Sequence, residues 1–267
     1  MTEYSFLEFN LSEIKPTSKI VIIGKTESGK STIIADILHS MKKKIETAMV
    51  VCSTRDGRED YEKLIPPLFI YDELSEAIID RFITAQQNFL DVYRKNETVG
   101  ALILDDCMHD SKMFKTKAMK YIYMNSRHDN VLNIVALQYC FGIGPDLRTN
   151  VDYVFILREI NIANRKKLYD NYAGMFPTFE IFCKVLDFFT ENYGCLVIKN
   201  KGISNKIEDQ VFWFKAKIHK PFKVGSKEYR AFARKNYSKK TSDNPYTSVK
   251  DLTRKYAGQS KIFIVKK

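Results

Sequence analysis

The sequence predicts a three-layer α/β fold, in which helices cover both faces of a mainly parallel sheet and a basic C-terminal appendage follows. Three observations lead to this fold class. Short apolar runs typical of buried strands alternate with segments of helical periodicity. The first run leads directly into a glycine-containing loop and then into a helix. The positive charge is concentrated in the last quarter of the chain.

The apolar runs and periodic segments place the individual elements. Core strands are predicted at residues 19–23, 48–53, 100–104, 131–137, 152–157 and 194–199, with edge strands at 67–71 and 211–214. Helices are predicted at about 30–43, 112–127, 161–173 and 178–191, and a further long helix is predicted to begin at Asp72 or Ser75 and to end at about Lys95. Because several strands are continuous apolar runs separated by helices, we expect the sheet to be buried on both sides.

The charge distribution divides the chain into a near-neutral body and a basic end. Residues 1–198 contain 24 Lys/Arg and 27 Asp/Glu (24 − 27 = −3), whereas residues 199–267 contain 19 and 5 (19 − 5 = +14). We therefore predict a polar lead-in at 1–16, a core domain at 17–200 and a basic, aromatic-containing extension at 201–267. Such asymmetry favours contact with a polyanion, although a solvated basic tail remains the alternative.

The loop after the first strand matches the phosphate-loop pattern, with Gly24 followed by Gly29, Lys30 and Ser31 at the required spacing. In this pattern backbone N–H groups surround the phosphates, the lysine reaches the β- and γ-phosphates, and the serine hydroxyl binds Mg²⁺. The N-terminus of the following helix also favours anions. The predicted ligands are ATP and Mg²⁺, and the predicted nucleotide-binding residues are Gly24, Lys25, Thr26, Glu27, Ser28, Gly29, Lys30, Ser31 and Thr32.

Two acidic residues, Asp105 and Asp106, follow the predicted strand at 100–104. A nucleoside triphosphatase needs a carboxylate beside its phosphate loop to hold Mg²⁺. A neighbouring carboxylate can act as the general base on the attacking water. We assign Asp105 to the metal, together with Ser31, and Asp106 to the water. Many strands end in an Asp-containing turn, so this motif is informative mainly in combination with the loop.

Gln138 and three arginines complete the candidate site. Gln138 follows the strand at 131–137 and is predicted either to hydrogen-bond phosphate or water, or simply to cap the strand. A guanidinium placed on the developing charge accelerates phosphoryl transfer. Arg127, Arg148 and Arg158 lie near the ends of core elements, where each could reach a neighbouring subunit or form a structural salt bridge.

Five segments follow one another in order: the loop 24–32, Leu104-Asp105-Asp106, Asn125-Ser-Arg127-His128, Ala136-Leu-Gln138 and the segment 146–159. Together they are similar to the genome-packaging ATPases of nucleocytoplasmic large DNA viruses. The resemblance, of the poxvirus type within the FtsK–HerA superfamily, covers about residues 17–200. It implies a RecA-like P-loop NTPase core, a pentameric or hexameric homo-oligomeric ring, and ATP-driven packaging of double-stranded DNA into a capsid. It also implies that Gln138 acts as a sensor and that Arg127 or Arg148 acts in a neighbour's site.

The same resemblance implies capsid or inner-membrane vertex proteins as partners, and the virion and host cytoplasm as the location. The sequence shows no signal-peptide pattern and no apolar run of about 20 residues, so no membrane span is expected. Two positions depart from the family pattern. Glu27 stands where many relatives have Gly, and Asp106 stands where relatives in the superfamily often have Glu.

Two other functions fit parts of the sequence. A P-loop kinase or GTPase would share the phosphate loop, but the Asp-x-x-Gly and Asn-Lys-x-Asp motifs of a GTPase are absent, and a kinase does not explain the basic end. Alternatively, the protein binds DNA or a capsid without catalysis and holds nucleotide only as a structural ligand. DNA-stimulated ATP hydrolysis separates these alternatives.

Overall fold

The computed structural model describes residues 4–93, 98–107, 111–139, 143–202 and 204–237. Eight strands form one sheet: β1 (Lys19–Ile23), β2 (Ile45–Cys52), β3 (Ile70–Tyr71), β4 (Val99–Asp105), β5 (Val131–Leu137), β6 (Tyr153–Ile156), β7 (Gly194–Lys199) and β8 (Val211–Lys215). The α-helices are α1 (Lys30–Met41), α2 (Arg55–Glu62), α3 (Glu76–Tyr93), α4 (Lys117–Asn125), α5 (Pro145–Arg148), α6 (Ile162–Tyr172), α7 (Phe179–Phe189) and α8 (Lys227–Asn236).

The strands lie in the order β3-β2-β4-β5-β1-β6-β7-β8. The first six are parallel to one another, whereas β7 runs antiparallel to β6, and β8 antiparallel to β7. The mainly parallel sheet predicted from the sequence is therefore confirmed. Each predicted strand corresponds to a strand of the structure, with ends that shift by up to three residues.

Helices cover both faces of the sheet, so that the core has two halves. Along β1, Val21 and Ile23 face one half, and Ile20 and Ile22 face the other. All four side chains are at most 4% exposed, which explains why the strand is apolar without alternation. Buried side chains of α3, α4, α5, α6 and α7 fill the first half, and those of α1 and α2 contribute to the second.

Three helices lie where the sequence predicted none: α5, which is a single turn, and the longer α2 and α8. The segment after β2, where no element was predicted, forms α2, in which Tyr61 is the buried residue. α8 likewise buries only Tyr229 and Ala233 of its ten residues. Helical periodicity is a pattern of several apolar residues, and one or two anchors do not produce it. The two longer helices depend on tertiary contacts of these anchors.

The described part of the predicted C-terminal extension packs on the core. β8 adds to the sheet, and the following chain crosses the second half of the core. The Asp36 carboxylate of α1 accepts a hydrogen bond from the Lys217 backbone N–H at 2.8 Å and pairs with His219 at 2.7 Å. The Tyr229 hydroxyl donates to the Ala48 carbonyl at 2.6 Å. The boundary at residue 200 stays a prediction, and residues 1–3 and 238–267 lie outside the described part.

In residues 215–237, which we call the basic segment, the lysines and the aromatic side chains face in different directions. Phe222 packs edge-on against His39 at a ring distance of 4.9 Å, and the Tyr229 ring stacks on Phe69 at 4.4 Å. By contrast, the exposed residues of the segment include most of its cations: Lys215, Lys217, Lys220, Lys223, Lys227, Arg234 and Lys235.

Among the helices of the described ranges, none has the length and apolar character needed to cross a membrane.

The Tyr229 anchor predicts a large effect on stability. Tyr229→Ala removes a buried ring and leaves the Ala48 carbonyl without its donor, so we expect the free energy of unfolding to fall by about 3–5 kcal/mol. Urea denaturation of the full chain measures it. Phe232→Ala, on the same helix but 57% exposed, is the matched control and should cost less than about 1 kcal/mol. Equal effects of the two substitutions would contradict the packing of α8 on the core.

Candidate active site

The carboxyl ends of β1, β2, β4, β5 and β6 meet at one edge of the sheet. The loop after β1 is joined to the end of β5 by the Gly24 N–H, which donates to the Leu137 carbonyl at 3.0 Å. The end of β4 is joined to β5 in the same way, by the Asp106 N–H and the Ala136 carbonyl at 3.3 Å. The predicted phosphate loop, the acidic pair and Gln138 are therefore brought together by the backbone of adjacent strands.

Two glycines shape the loop. A Cβ on Gly24 would lie 2.5 Å from the Ser28 hydroxyl oxygen and 2.8 Å from Leu157, which is too close for any other residue. Gly29 has φ 106° and caps the start of α1, a left-handed conformation that favours glycine. Glu27 is also left-handed, with φ 63°. The departure at Glu27 therefore falls on a backbone position where glycine costs less.

Lys30 is the buried cation of the site, with 5% of its surface exposed. Its Nζ donates to the Gly24 carbonyl at 2.8 Å and to the Lys25 carbonyl at 3.1 Å, and lies 3.3 Å from Asp106 Oδ2. The ammonium thus folds back inside the loop. It links the loop to the end of β4.

Asp105, the last residue of β4, is held by a tyrosine of α2. The Tyr61 hydroxyl donates to Asp105 Oδ2 at 2.8 Å, and both residues are buried. Burial raises the pKa of the Asp105 carboxyl, and the hydrogen bond from Tyr61 opposes part of this rise. Asp105 Oδ1 is buried without a hydrogen-bond partner. The carboxyl therefore has one oxygen fixed and one oxygen free for a ligand.

Asp106 has a left-handed backbone, with φ 47°. Its carbonyl accepts a hydrogen bond from the Ser53 hydroxyl at 2.8 Å, and the Arg58 guanidinium donates to the Cys52 and Ser53 carbonyls at 3.0 and 2.9 Å. The end of β2 and the start of α2 thus support the turn that carries Asp106. One carboxylate oxygen faces Lys30, and the other, Oδ1, is buried without a partner.

The oxygens present fit a magnesium ion bound together with phosphates. The unpartnered Asp105 and Asp106 oxygens are hard ligands, and Ser31 is exposed in the first turn of α1. Across the described ranges, no group of three or more His, Cys, Asp or Glu side chains could hold a metal. Mg²⁺ does not need such a group, because it is usually bound by one or two protein oxygens, phosphates and water.

The other loop residues differ in their surroundings. Thr26 and Glu27 are exposed, and Thr32 is half-buried in the first turn of α1. The Lys25 ammonium pairs with Glu159 at 3.1 Å. Although burial opposes ionisation of Glu159, hydrogen bonds from the Asn161 N–H, Lys25 and Asn164 hold the pKa of its carboxyl below its usual value. Glu159 therefore ties the loop to the segment after β6.

Gln138 and Arg158 lie at the loop edge, whereas Arg127 lies at the opposite edge. Gln138 is half-buried and follows Leu137 directly. Arg158 follows β6 and donates to the Asp187 carbonyl at 3.2 Å. Arg127 pairs at 2.7 Å with Asp152, which precedes β6, so it lies at the amino ends of the strands.

The Arg148 guanidinium donates to the Ile143 carbonyl and lies 6.0 Å from the Tyr172 ring. Among the contacts of the described residues, neither Arg127 nor Arg148 reaches the phosphate loop of its own chain. Their predicted action in a neighbour's site stays a prediction.

Sequence reasoning missed the residues that position the acids, namely Tyr61, Ser53 and Arg58. No motif in the sequence indicated that Tyr61, in the segment after β2, would return to Asp105. A helical reading of 55–62 would have placed Arg58 and Tyr61 near each other along α2. The contact to Asp105 depends on the pairing of β2 with β4.

Asp105 should make the protein less stable at neutral pH when no metal is bound. Because the pKa of Asp105 in the folded protein is above its unfolded value, the stability contributed by the neutral carboxyl is present at acidic pH and is lost as the pH rises through the folded-state pKa. In buffer without divalent cations, Asp105→Asn should therefore raise the free energy of unfolding by about 1–2 kcal/mol at neutral pH. Urea denaturation over a pH series should show this gain narrowing as the pH falls.

Asp106→Asn is the matched control, because it removes a carboxylate that already pairs with Lys30. It should leave stability unchanged or lower it. If Asp105→Asn destabilises the protein at neutral pH as much as Asp106→Asn does, burial does not disfavour the ionised Asp105 carboxyl in the way that we describe.

The chain shares extensive sequence similarity with proteins of large DNA viruses. It is 34% identical over 273 residues to the uncharacterized protein L437 of Acanthamoeba polyphaga mimivirus, covering 99% of this chain and 93% of the relative. It is 38% identical over 254 residues to the uncharacterized protein 075L of Invertebrate iridescent virus 6, covering 91% of this chain and 98% of that relative.

Among solved structures, the fold is similar to the genome packaging NTPase B204 of Sulfolobus turreted icosahedral virus 2 in complex with AMP. The TM-score is 0.57 at 16% identity, covering 77% of this chain and all of the other. A B204 structure from Sulfolobus turreted icosahedral virus gives 0.52 at 20% identity, with the same coverage of this chain. A family model described as the Poxvirus A32 protein matches residues 6–206. The resemblance predicted from the motifs is thus confirmed: the chain belongs to the poxvirus A32 protein family.

Proposed function

We propose that the protein is an ATPase that moves double-stranded DNA into a viral capsid. The observation that carries the proposal is the position of the Lys30 ammonium, which lies inside the phosphate loop and 3.3 Å from the acid after β4. This arrangement places a phosphate-binding cation, a candidate metal ligand and a candidate base at one edge of the sheet. Packaging itself is supported by the family and by the fold shared with the genome packaging NTPase B204.

Each candidate residue has a role in this proposal. Backbone N–H groups of residues 24–32 and the Lys30 ammonium bind the β- and γ-phosphates. Asp106 accepts the proton of the attacking water, and Gln138 orients that water or senses the γ-phosphate. Tyr61 positions Asp105 through its hydroxyl and touches no reacting atom. In this mechanism the general base is an aspartate, Asp106, at a position where relatives in the superfamily often have Glu.

Ser31 and Asp105 would hold Mg²⁺ in this site. When bound, the ion would neutralise charge on the β- and γ-phosphates. Asp105 Oδ1, which is buried without a partner, would gain a ligand in this ion, and an unpaired buried charge is costly.

The positions of the arginines support an assembly in which neighbouring subunits complete each site. Arg127 lies at the opposite edge of the sheet from its own phosphate loop, so any catalytic action must take place in another subunit. A homo-oligomeric ring, pentameric or hexameric, would place such an edge against a neighbour's loop. Arg148 is the second candidate, and its contact with the Ile143 carbonyl would have to break.

The basic segment supports contact with nucleic acid. Its exposed lysines point to solvent, whereas Phe222 and Tyr229 pack inward, so the lysines offer a charged surface to a polyanion. Contacts of lysine and arginine with phosphate give affinity that is independent of sequence and sensitive to salt. Capsid or inner-membrane vertex proteins and a location in the virion and the viral factory belong to the same proposal.

Lys30→Ala should abolish ATP hydrolysis, because it removes the cation that binds the phosphates and stabilises charge in the transition state. We expect the loss to be at least about 100-fold, and we expect wild-type hydrolysis to increase when double-stranded DNA is added. Phosphate release with and without DNA measures both effects. A wild-type protein that hydrolyses ATP no faster than Lys30→Ala under every DNA condition, yet binds ADP tightly, would instead favour the non-catalytic alternative.

DNA affinity should reside mainly beyond Lys199. Replacing the exposed Lys220, Lys223 and Lys227 by Gln should weaken binding to duplex DNA and lower the slope of log K against log salt by up to about 0.9 per lysine. A chain that ends at Tyr237 loses 8 Lys/Arg and 2 Asp/Glu and should show a further decrease.

The matched control for this DNA experiment is a second triple substitution, in which the exposed Lys115, Lys117 and Lys120 become Gln. The change in net charge is the same, so only the position differs. Fluorescence anisotropy with a labelled duplex at several salt concentrations measures both triples. If the control triple lowers the slope as much as the first, DNA contact is not localised to the basic segment.

A further inference from the structure

A pocket of about 480 Å³ adjoins the phosphate loop on the side of β6 and β7. Its wall includes Ser28 of the loop, Leu157 and Arg158 after β6, and the turn 190–194 between α7 and β7. Pockets that hold small molecules usually measure about 300–1,000 Å³. The pocket is therefore large enough for a nucleoside, and none of the assigned catalytic residues lies in its wall.

Tyr193 is an unusual residue of this wall. Its side chain is 73% exposed, although large aromatic side chains tend to be buried. A Cβ placed on Gly29 would lie 3.8 Å from the Tyr193 ring, so the ring stands beside the last glycine of the phosphate loop. An exposed aromatic ring next to a phosphate-binding loop offers a flat apolar surface to the rest of a bound nucleotide.

The backbone of the same turn is strained. Asn192 and Tyr193 are consecutive left-handed residues, with φ 50° and 63°. For residues other than glycine this conformation costs on the order of 1–3 kcal/mol each, and such strain is concentrated at functional sites. A tyrosine has no side-chain hydrogen bond of the Asn or Asp type to offset it. The fold therefore holds the Tyr193 ring in place against a local backbone preference.

The expected orientation of a bound nucleotide places its nucleoside at this pocket. The loop and the first turn of α1 surround the phosphates, and the acids occupy the side toward β4 and β5. The γ-phosphate must lie toward the acids if Asp106 is to activate water. The nucleoside then leaves the loop on the opposite side, toward β6, where Leu157, Arg158 and Tyr193 form the pocket.

We propose that this pocket is the nucleoside subsite, in which the base of the nucleotide stacks on Tyr193. The inference rests on the proposed ATPase function and adds the part of the site that binds the base. Stacking on an aromatic ring is worth about 1–3 kcal/mol per base and does not distinguish one base from another. Tyr193 therefore contributes affinity for any nucleoside triphosphate rather than selectivity for adenine.

Binding of ATP and of inorganic tripolyphosphate to the full chain, each with Mg²⁺ and measured by calorimetry, tests the subsite. Tyr193→Ala should weaken ATP binding by about 5- to 150-fold and leave tripolyphosphate binding unchanged. Tyr193→Phe keeps the ring and should bind ATP as the wild type does. Phe188→Ala is the matched control, since Phe188 is also 73% exposed but lies outside the pocket wall.

Lys30→Ala separates this inference from the proposed function. It should weaken both ligands, because both carry the phosphate chain; if it weakens neither, the loop is not a phosphate site and the proposed function fails first. With Lys30 behaving as expected, the subsite is overturned if Tyr193→Ala binds ATP as tightly as the wild type. It is also overturned if Tyr193→Ala weakens tripolyphosphate as much as ATP, because the substitution would then act through the loop.

Discussion

The ion pair between Lys30 and Asp106 is the constraint on which the site depends. A buried ammonium needs several oxygen partners, and here it takes them from the Gly24 and Lys25 carbonyls and from the acid after β4. In the function we propose, a phosphate oxygen that enters the loop competes with Asp106 for the same ammonium. Binding of the triphosphate and release of the Asp106 carboxylate toward water are then one event. In the same proposal, the free enzyme would keep its base paired with Lys30, which would suppress proton transfer until substrate is present.

Backbone strain is concentrated around this ion pair. Of the five left-handed residues other than glycine in the described ranges, Glu27, Asp106, Asn192 and Tyr193 surround the loop edge, and only Asn130 lies elsewhere. Glu27 and Asp106, the two positions at which the sequence was expected to differ from its relatives, are both among them. Asp106 is held by a tertiary contact, the hydrogen bond that its carbonyl accepts from the Ser53 hydroxyl. This distribution is expected where a fold fixes functional groups at the expense of local stability.

The strands and the phosphate loop could be predicted from the sequence, because their signals are local. Each core strand is a continuous apolar run, and the glycine spacing of the loop specifies its conformation. The contacts of Tyr61 and Tyr193 could not be predicted, because each depends on which strands are neighbours. Tyr61 reaches Asp105 only because β2 pairs with β4, and Tyr193 reaches Gly29 only because β7 follows β6 in the sheet. The packing of residues 216–237 was hidden for another reason: its lysines dominate its composition, while a few aromatic anchors decide its position.

Contacts with α1 and β2 connect the basic segment to the candidate active site. Asp36, which binds Lys217 and His219, lies on α1, the helix that begins with Lys30. At the other anchor, Tyr229 and Ser226 bond to the Ala48 and Glu46 carbonyls of β2, the strand that leads to Ser53 and Tyr61. Helices and buried strands are stiff, and an interior packed at crystal-like density transmits strain. In the function we propose, a load on the basic segment would therefore reach the Lys30 side of the site through α1 and the acidic side through β2. In that proposal, a DNA-bound segment anchored in this way would couple force to hydrolysis through these two elements.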